Sequence, residues 1–257
     1  MREKRAASWL RTARSCGPQR NEPVAALRDH RLNGDADIAR VAALIGDDAR
    51  AAILLALGAG TPLSASELAA HARVSPQTAS EHLSKLVDGG LLRSERRGRF
   101  TYFSIASAAV WAAVEALGEL APQRAPRALS EASKAEALRN ARTCYDHLAG
   151  KLGVALFESL LRRQAIRQSS GDVVLGPDAE SVFAGFGVAL EEVRRGRRRF
   201  AATCLDWTER QPHLSGALGA AVCAAFFENG WCARAAASRA ITLTQSGAQA
   251  LRERFGM

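Results

Sequence analysis

Four side chains in the second half of the chain have types and spacing that could bind a metal ion. Cys144 and His147 are separated by two residues, so one helical turn or bend could offer a sulfur and an imidazole to one ion. Cys204 and His213 form a second pair with a looser spacing. If the fold brings the two pairs together, they complete a tetrahedral site for a zinc-like or soft metal ion.

Two other interpretations of these residues stay open. Repeated Cys, Asp and His side chains could instead be buried structural groups that cap helices and hydrogen-bond the region together. Cys144 and Cys204 could also oxidise to a disulfide if their Cα atoms lie within about 7 Å. The remaining cysteines of this half, Cys223 and Cys232, flank an apolar helix end and are expected to be core thiols. Five cysteines in a chain of this size favour free thiols over structural disulfides.

An internal duplication is the feature that would position the two pairs. The segment His-Leu-Ala-Gly-Lys-Leu-Gly at 147–153 parallels His-Leu-Ser-Gly-Ala-Leu-Gly at 213–219, and Thr143-Cys144 parallels Thr203-Cys204. Each copy predicts the order helix, strand pair, helix. The predicted ranges are 149–161, 165–175 and 177–190 in the first copy, and 215–229, 231–243 and 245–255 in the second. We expect two half-units, about 143–190 and 203–257, packed about a pseudo-two-fold axis.

The densest charge cluster of the chain lies between the two copies. Five arginines surround one glycine over residues 194–199. This run is either a solvated linker or a contact for flanking DNA phosphates or an anionic effector.

A second set of candidate residues lies in the first half, on a helix that is expected to begin after Ser75. The Ser75 hydroxyl can cap the helix, and Pro76 supplies a preset φ at its first position. Residues 79, 83, 86 and 87 form an apolar stripe that packs inward. The opposite side carries polar groups suited to base edges and phosphates. These candidate DNA contacts are Gln77, Thr78, Ser80, Glu81 and Lys85.

The flanking elements predict how this helix is presented. A helix over 65–72 precedes it after a tight turn, and Gly89-Gly90 ends it. Strands over 91–95 and 101–105 then form a hairpin around the turn 96–99. Arg96, Arg97 and Arg99 lie at the tip of this hairpin, where they can contact phosphates or the minor groove. Helix, turn, helix 76–89 and wing 91–105 together predict a DNA-reading module.

Over residues 37–120 the chain resembles the ArsR/SmtB winged helix-turn-helix repressors. Residues 38–47 and 50–54 are similar to the family's first two helices, and residues 75–83 resemble its recognition-helix motif. The resemblance adds His82 to the candidate DNA contacts. The helix over 107–120 resembles the element that pairs with the first helix across a homodimer. The resemblance therefore implies a dimer that presents two recognition helices to an inverted repeat in double-stranded DNA.

The family resemblance usually implies metal sensing, but its commonest sites are missing from this module. Residues 67–73 contain no cysteine, and the helix 107–120 contains no histidine. Its only acidic side chains are Glu115 and Glu119. We therefore expect no ion within the winged helix, and the effector site is sought in the rest of the chain.

Charge and composition divide the chain further. The formal net charge is +9, and the basic excess lies in residues 1–34 and in the second half, while the module 35–121 is slightly acidic. Residues 1–34 predict a disordered basic tail, without an apolar run for a signal peptide or membrane span. A cytoplasmic protein without a membrane partner is expected. Pro122 and Pro126 mark a linker over 122–136, which leaves 137–257 as a C-terminal domain.

The sequence thus predicts a mainly α fold with small β-hairpins, a winged helix followed by a second α+β domain. The function expected is a sequence-specific transcriptional regulator, with a C-terminal domain that senses a metal, a thiol oxidant or another effector. The alternative is a C-terminal domain that only enlarges the dimer and senses nothing. An enzyme is not expected, because the sequence has no glycine-rich phosphate loop, no HExxH and no G-x-S-x-G motif.

Overall fold

The first part of the fold is a three-stranded sheet surrounded by helices. Helices α1 (Ile38–Ile45) and α2 (Asp48–Leu57) are followed by strand β1 (Leu63–Ser64) and helix α3 (Ala65–Ala72). Helix α4 (Pro76–Asp88), strands β2 (Leu92–Arg97) and β3 (Phe100–Ile105), and helix α5 (Ala108–Leu120) complete it. The antiparallel strand order is β1-β3-β2. This is the helix-turn-helix with a wing that the sequence predicts.

Local capping sets the boundaries of the two central helices. Ser64 and Glu67 form a reciprocal capping box at the start of α3. Arg73 ends α3 in the left-handed conformation, with φ 55°, and this produces the tight turn. The Ser75 hydroxyl accepts a hydrogen bond from the Thr78 N–H at 3.1 Å, so the predicted cap of α4 is confirmed.

The wing is longer than the sequence indicates. Arg96 pairs with Thr101 and Arg97 pairs with Phe100, so the ladder continues into the segment expected to be a turn. Only Gly98 and Arg99 remain as the connection, and Gly98 has φ 60°. A two-residue hairpin needs this left-handed conformation, which glycine adopts without strain.

The structure is a computed structural model, and it describes residues 36–122, 125–126, 128–169, 172–235 and 238–257. The basic tail predicted over 1–34 lies outside the described residues, as does Cys16. Residues 39–257 form one compact unit. The division at a linker into two domains therefore stays a prediction. Helix α6 (Leu129–Asn140) begins inside the predicted linker, because Ala, Leu, Glu and Lys dominate that stretch.

The second part of the fold begins with a short hairpin of β4 (Arg142–Cys144) and β5 (His147–Ala149), followed by α7 (Gly150–Arg162). Strands β6 (Ile166–Ser169) and β7 (Asp172–Leu175) and helices α8 (Ala179–Ala184) and α9 (Leu190–Arg194) come next. Strands β8 (Ala202–Leu205) and β9 (Pro212–Ser215) lead into α10 (Gly216–Glu228). Strands β10 (Cys232–Arg234) and β11 (Ile241–Leu243), α11 (Gln245–Ala250) and a π-helical turn (Leu251–Phe255) end the chain.

Most of these elements match the predicted order, with two differences. The hairpins β4–β5 and β8–β9 were not predicted, because three- and four-residue strands are too short to show an alternating pattern. The helix predicted over 177–190 ends at Ala184, and α9 begins only at Leu190. Gly187 lies between them with φ 84° and redirects the chain. Strands β6-β7-β8-β9 form one antiparallel sheet, and the duplication of the two copies stays a prediction.

Two hydrophobic cores fill the structure. One lies beneath α7 and α10 and includes a stack of Phe186 on Phe255 with ring centroids 3.9 Å apart. The other is the core of the winged helix, and it also contains Cys144 and Ala149. The hairpin β4–β5 therefore packs directly against the winged helix. None of the described helices has the length and apolar character that a bilayer span requires.

Candidate functional site

The exposed side of α4 carries most of the predicted DNA contacts. Gln77, Ser80, Glu81 and Lys85 are exposed, while the apolar stripe of the same helix is buried. Thr78 is half-buried, and its hydroxyl lies 2.8 Å from the Ser75 Oγ. The helix therefore presents a polar surface of short and amide-bearing side chains, as a helix in a DNA groove requires.

His82 lies in a different environment from the other predicted contacts. Its side chain is only 13% exposed, and its Nδ1 lies 3.7 Å from a carboxylate oxygen of Asp47. The same Nδ1 lies 3.3 Å from the Arg50 guanidinium, which also donates to the Leu44 carbonyl at 2.6 Å. Since Asp47 and Arg50 belong to the start of α2, this arrangement fixes α4 against the first two helices. The position of His82 favours a positioning role over a base contact.

The three wing arginines are exposed but not equivalent. Arg97 lies over the Tyr102 ring and forms an ion pair with Glu95 at 2.8 Å. The Glu95 carboxylate compensates part of the charge of Arg97. Hydrogen bonding to Glu95 raises the pKa of Arg97 above its ordinary value. Arg99 lies over the Phe100 ring at 5.4 Å. Its guanidinium at the hairpin tip is therefore well placed for a phosphate.

The two Cys/His pairs predicted from the sequence lie together in space. The ligand atoms of Cys144, His147, Cys204 and His213 all lie within 4.8 Å of one another. The Sγ atoms of the two cysteines are 3.9 Å apart, and two sulfurs on a tetrahedral zinc ion would be about 3.8 Å apart at the usual Zn–S distance. Three of the four residues are buried, and Cys204 is half-buried. We refer to these four residues as the Cys/His cluster.

Strand pairing, rather than a helical turn, brings each cysteine next to a histidine. Cys144 is directly opposite His147 in the hairpin β4–β5, and Cys204 is directly opposite His213 in β8–β9. Tyr145, at φ 59°, forms the tight connection of the first hairpin. The looser spacing of Cys204 and His213 does not separate them in space. The hairpin loop between β8 and β9 is longer, but the two residues are still directly opposite each other on paired strands.

Two glycines allow α7 and α10 to pack closely against the hairpins that carry the cluster. A Cβ on Gly153 would lie 2.5 Å from the Leu148 carbonyl oxygen and 3.6 Å from the Cβ of His213. A Cβ on Gly219 would lie 2.6 Å from the Leu214 carbonyl oxygen and 3.2 Å from the Cβ of His147. Each histidine therefore packs against a glycine of the opposite helix. The closest approach at each glycine is to the carbonyl oxygen of the strand before its own helix, so a larger residue would first move that helix away from its hairpin.

The histidine nitrogens are arranged as metal ligands would be. His147 Nδ1 lies 3.3 Å from the Asp146 carboxylate, and Asp146 also forms an ion pair with Arg198. Metal-bound histidines usually hold a carboxylate on the second nitrogen in this way. The Nε2 of His147 and both nitrogens of His213 are buried without a hydrogen-bond partner among the described residues. Such atoms are costly to bury unless a ligand satisfies them.

The protonation states of the cluster differ among its members. Burial alone would lower the pKa of His147, but its neighbours Cys144 and Asp146 outweigh burial and raise that pKa to about 10, so an ion that binds here displaces a proton from His147. Burial raises the pKa of the Cys144 thiol well above its ordinary range. Burial, followed by the charge of His147, lowers the pKa of His213 to about 3. His213 is therefore neutral at pH 7, and its ring offers a lone pair, which is the form that binds metals.

A buried ion pair next to the cluster joins its two hairpins. Asp206 and Arg142 are both fully buried, with Arg142 Nη2 2.9 Å from Asp206 Oδ2. Asp206 also accepts from the Gly150 N–H at 2.6 Å and from the Thr208 hydroxyl at 2.6 Å. Burial alone would raise the pKa of Asp206, but Arg142 and these donors outweigh it and lower the pKa below its ordinary value. Asp206 thus joins the two hairpins, since Gly150 follows β5 and Asp206 follows β8.

Glu115 is a residue of this site that the sequence interpretation missed. It projects from α5 and accepts hydrogen bonds from both thiols, from Cys144 to Oε1 and from Cys204 to Oε2, the latter at 3.2 Å. The sequence interpretation expected no ligand chemistry from this helix. The available signal was the spacing, because Glu115 lies one turn after the buried Trp111 and so shares its inward face.

The remaining sequence predictions have plain outcomes. Cys223 and Cys232 are buried in the core beneath α7 and α10, as expected of core thiols, and burial raises their pKa values to about 12 and about 11. The arginine run is not simply a solvated linker. Arg198 pairs with Asp146, and Arg199 pairs with Asp172, so part of the run stabilises the hairpin that carries His147.

The comparisons with known proteins agree with the helix-turn-helix. A family model described as a helix-turn-helix domain matches residues 45–95. The HTH-type transcriptional regulator YdfF of Bacillus subtilis (strain 168) is 39% identical over 211 residues, which is 82% of this chain and 93% of the relative. A match of that length includes much of the region after the winged helix. The chain belongs to the HTH-type transcriptional regulators, with a DNA-binding winged helix of the ArsR type.

Solved structures of smaller regulators are similar to one part of the chain. The antimony-specific transcriptional repressor AntR is 28% identical, with a TM-score of 0.29, and the match covers 40% of this chain and 90% of AntR. The cadmium sensor CMTR of Mycobacterium tuberculosis is 30% identical, with a TM-score of 0.27, and covers 35% of this chain and 99% of its own. At these TM-scores the likeness supports no functional argument.

Proposed function

We propose that this regulator is a dimeric, cytoplasmic repressor whose affinity for an inverted repeat is set by a divalent metal ion in the Cys/His cluster. The observation that carries the proposal is the convergence of two thiols and two imidazoles within 4.8 Å, beside a helix of the winged helix. No catalytic step is part of this function.

The DNA-reading part of the proposal rests on α4 and the wing. The exposed side chains of α4 would contact base edges, and Arg96 and Arg99 would contact phosphates. Exposed apolar residues on α1 and α5 support a dimer, because a group of such side chains on two helices offers a surface that a second copy could cover. They are Val41, Leu117 and Leu120, exposed to 41%, 45% and 84%.

The chemistry of the cluster favours a zinc-like ion over other candidates. Once the ion has displaced the two thiol protons and the ring proton of His147, two thiolates and two neutral imidazoles carry a charge of −2, which a divalent ion neutralises in a buried site. A monovalent ion would leave one buried negative charge uncompensated. Asp206 and Arg142 already neutralise each other, so they offer no compensation. Mixed sulfur and nitrogen donors in a tetrahedral arrangement are the preference of zinc.

The test is a zinc titration of the full chain, together with DNA binding. A target site is first selected from random duplex DNA with the purified protein. We expect one zinc per chain, and a change in DNA affinity of roughly 5- to 150-fold between the zinc-free and zinc-bound protein. Cys144→Ser combined with Cys204→Ser should lose both zinc binding and the response. Cys223→Ser combined with Cys232→Ser is the matched control and should keep both.

Three results would contradict the proposal. Wild-type protein with all thiols reduced that binds no zinc would favour a purely architectural C-terminal region. Zinc binding that survives in the Cys144 and Cys204 variant would place the ion elsewhere. A DNA affinity that changes less than twofold with zinc would show that the ion only stabilises the fold.

A further inference from the structure

We propose that Glu115 couples the Cys/His cluster to the DNA-binding part of the molecule. The inference rests on the proposed metal-sensing function and assigns its means of regulation. Glu115 acts through the two cysteines that it contacts, so it is a positioning residue and not a ligand.

One carboxylate satisfies both thiols in the metal-free arrangement. Cys144 donates to one oxygen of Glu115, and Cys204 donates to the other. The two sulfurs belong to different hairpins, while Glu115 belongs to α5. The carboxylate therefore links three segments of the chain at one point.

Ion binding removes both of these hydrogen bonds. A thiol that ligates a metal loses its proton, so two S–H bonds break, two sulfur–metal bonds form, and two protons pass to water together with the ring proton of His147. The Glu115 carboxylate then faces two sulfurs that can no longer donate. Because Glu115 is half-buried and a buried carboxylate without donors is costly, the carboxylate and the helix that carries it must move away from the loaded cluster to regain hydrogen-bond partners.

Helix α5 is placed to transmit such a movement to the DNA-binding helices. Trp111, one turn before Glu115, lies against Gly58 at the end of α2, where a Cβ would come within 2.1 Å of the indole ring. No side chain could be inserted there, so α5 and the end of α2 move together. The same α2 carries Arg50, whose guanidinium lies 3.3 Å from His82 on α4. The contacts therefore run from the cluster through α5 and α2 to the recognition helix.

Two further contacts hold α5 against the residues around the cluster. Arg239 lies over the Trp111 ring at 5.3 Å, and Arg210 donates to the Glu119 carbonyl at 2.9 Å. Neither contact involves an atom of the cluster. They remain when the ion binds, so α5 is expected to tilt about this attachment while Glu115 is displaced.

The test compares Glu115→Gln with wild type in zinc affinity and in DNA response. The amide can donate its NH₂ group to a ligating sulfur, which a carboxylate cannot do, so the variant keeps one contact between α5 and the loaded cluster. We expect zinc to bind about fivefold more tightly, as measured by competition with a chromophoric chelator. The zinc-dependent change in DNA affinity should fall below twofold. Glu119→Gln, one turn along the same helix, is the control and should match wild type in both measurements.

The outcomes separate this inference from the proposed function. Zinc binding by wild type, with a full DNA response in the Glu115→Gln variant, overturns the coupling role and leaves metal sensing intact. Weaker zinc binding by the variant makes Glu115 a ligand and also overturns the inference. A wild-type protein without zinc binding contradicts both. If Glu115→Gln melts well below wild type, Glu115→Asp replaces it, since the shorter side chain withdraws the carboxylate from the sulfurs.

Discussion

The recognition helix and the Cys/His cluster differ in how far apart their determinants lie in the chain. Helix α4 is defined by Ser75, Pro76 and two closing glycines, all within its own segment. Cys144 and Cys204 are 60 residues apart in sequence, and their meeting depends on two hairpins, two helices and a buried ion pair. A local change should therefore affect DNA reading alone, whereas changes at many distant positions should affect the cluster.

The largest effect is expected from removing the charge of Asp206. Asp206→Asn leaves Arg142 buried without its partner, and breaking a buried pair in this way costs about 3–5 kcal/mol. Urea denaturation monitored by circular dichroism measures the loss. Asp172→Asn is the control, because its ion pair with Arg199 is exposed and should contribute less than about 1 kcal/mol. Equal stability of the two variants would show that the ion pair between Asp206 and Arg142 does not stabilise the region around the cluster.

A smaller loss is expected when each hairpin is forced away from the helix that follows it. Gly153→Ala and Gly219→Ala each place a methyl group within 2.6 Å of a backbone carbonyl oxygen, and such overpacking costs about 1–3 kcal/mol. Zinc affinity should fall in parallel. Gly118→Ala on α5 meets nothing within 4 Å and should be neutral or stabilising by up to about 1 kcal/mol. Unaltered zinc affinity in both cluster variants would show that the hairpins do not need this close approach.

A local effect is expected at the start of the recognition helix. Ser75→Ala removes the side-chain acceptor of the Thr78 N–H and should cost about 1 kcal/mol. DNA binding should weaken, and zinc affinity should stay unchanged. Ser75→Thr keeps the hydroxyl and should restore most of the stability. A parallel loss of zinc affinity in Ser75→Ala, measured without DNA, would contradict the local character of this cap.

The smallest effect is expected at the wing, and it concerns salt dependence rather than stability. Arg97→Ala combined with Arg99→Ala should weaken binding to all sequences. It should reduce the slope of log affinity against log salt by up to about 1.8, if both residues contact phosphates. Arg99→Ala alone should account for the larger share, because Glu95 already compensates Arg97. Arg162→Ala, on the distant α7, should leave the slope unchanged. An identical slope in wild type and in both wing variants would exclude the wing from DNA binding.

The helix-turn-helix was predictable from the sequence because its signals are local. The cap at Ser75, the apolar stripe and the glycine stops each act within a few residues, and the structure confirms them. The wing was predicted too short, since Arg96 and Arg97 are unusual strand residues whose pairing depends on β3. His82 was assigned to DNA by resemblance, but its contacts with Asp47 and Arg50 arise from packing against α2.

The sequence could predict which four residues form the Cys/His cluster, but not how the fold brings them together. The residue types at 144, 147, 204 and 213 suggested an ion site, and the structure brings them together. Of the helical turn or bend that the spacing allowed, the structure has a two-residue turn in the first pair, and strand pairing places each cysteine beside a histidine. Glu115 could not be assigned, since its two partners lie 29 and 89 residues away.

By itself the sequence determined the winged helix and the identity of the donor atoms, because capping, helical periodicity and side-chain chemistry act over one or two turns. Only the tertiary structure decided that Asp206 pairs with the buried Arg142, that two glycines let each histidine pack against the opposite helix, and that Glu115 reaches both thiols. These contacts join segments separated by tens of residues, and their geometry depends on how α5, α7 and α10 pack around the two hairpins.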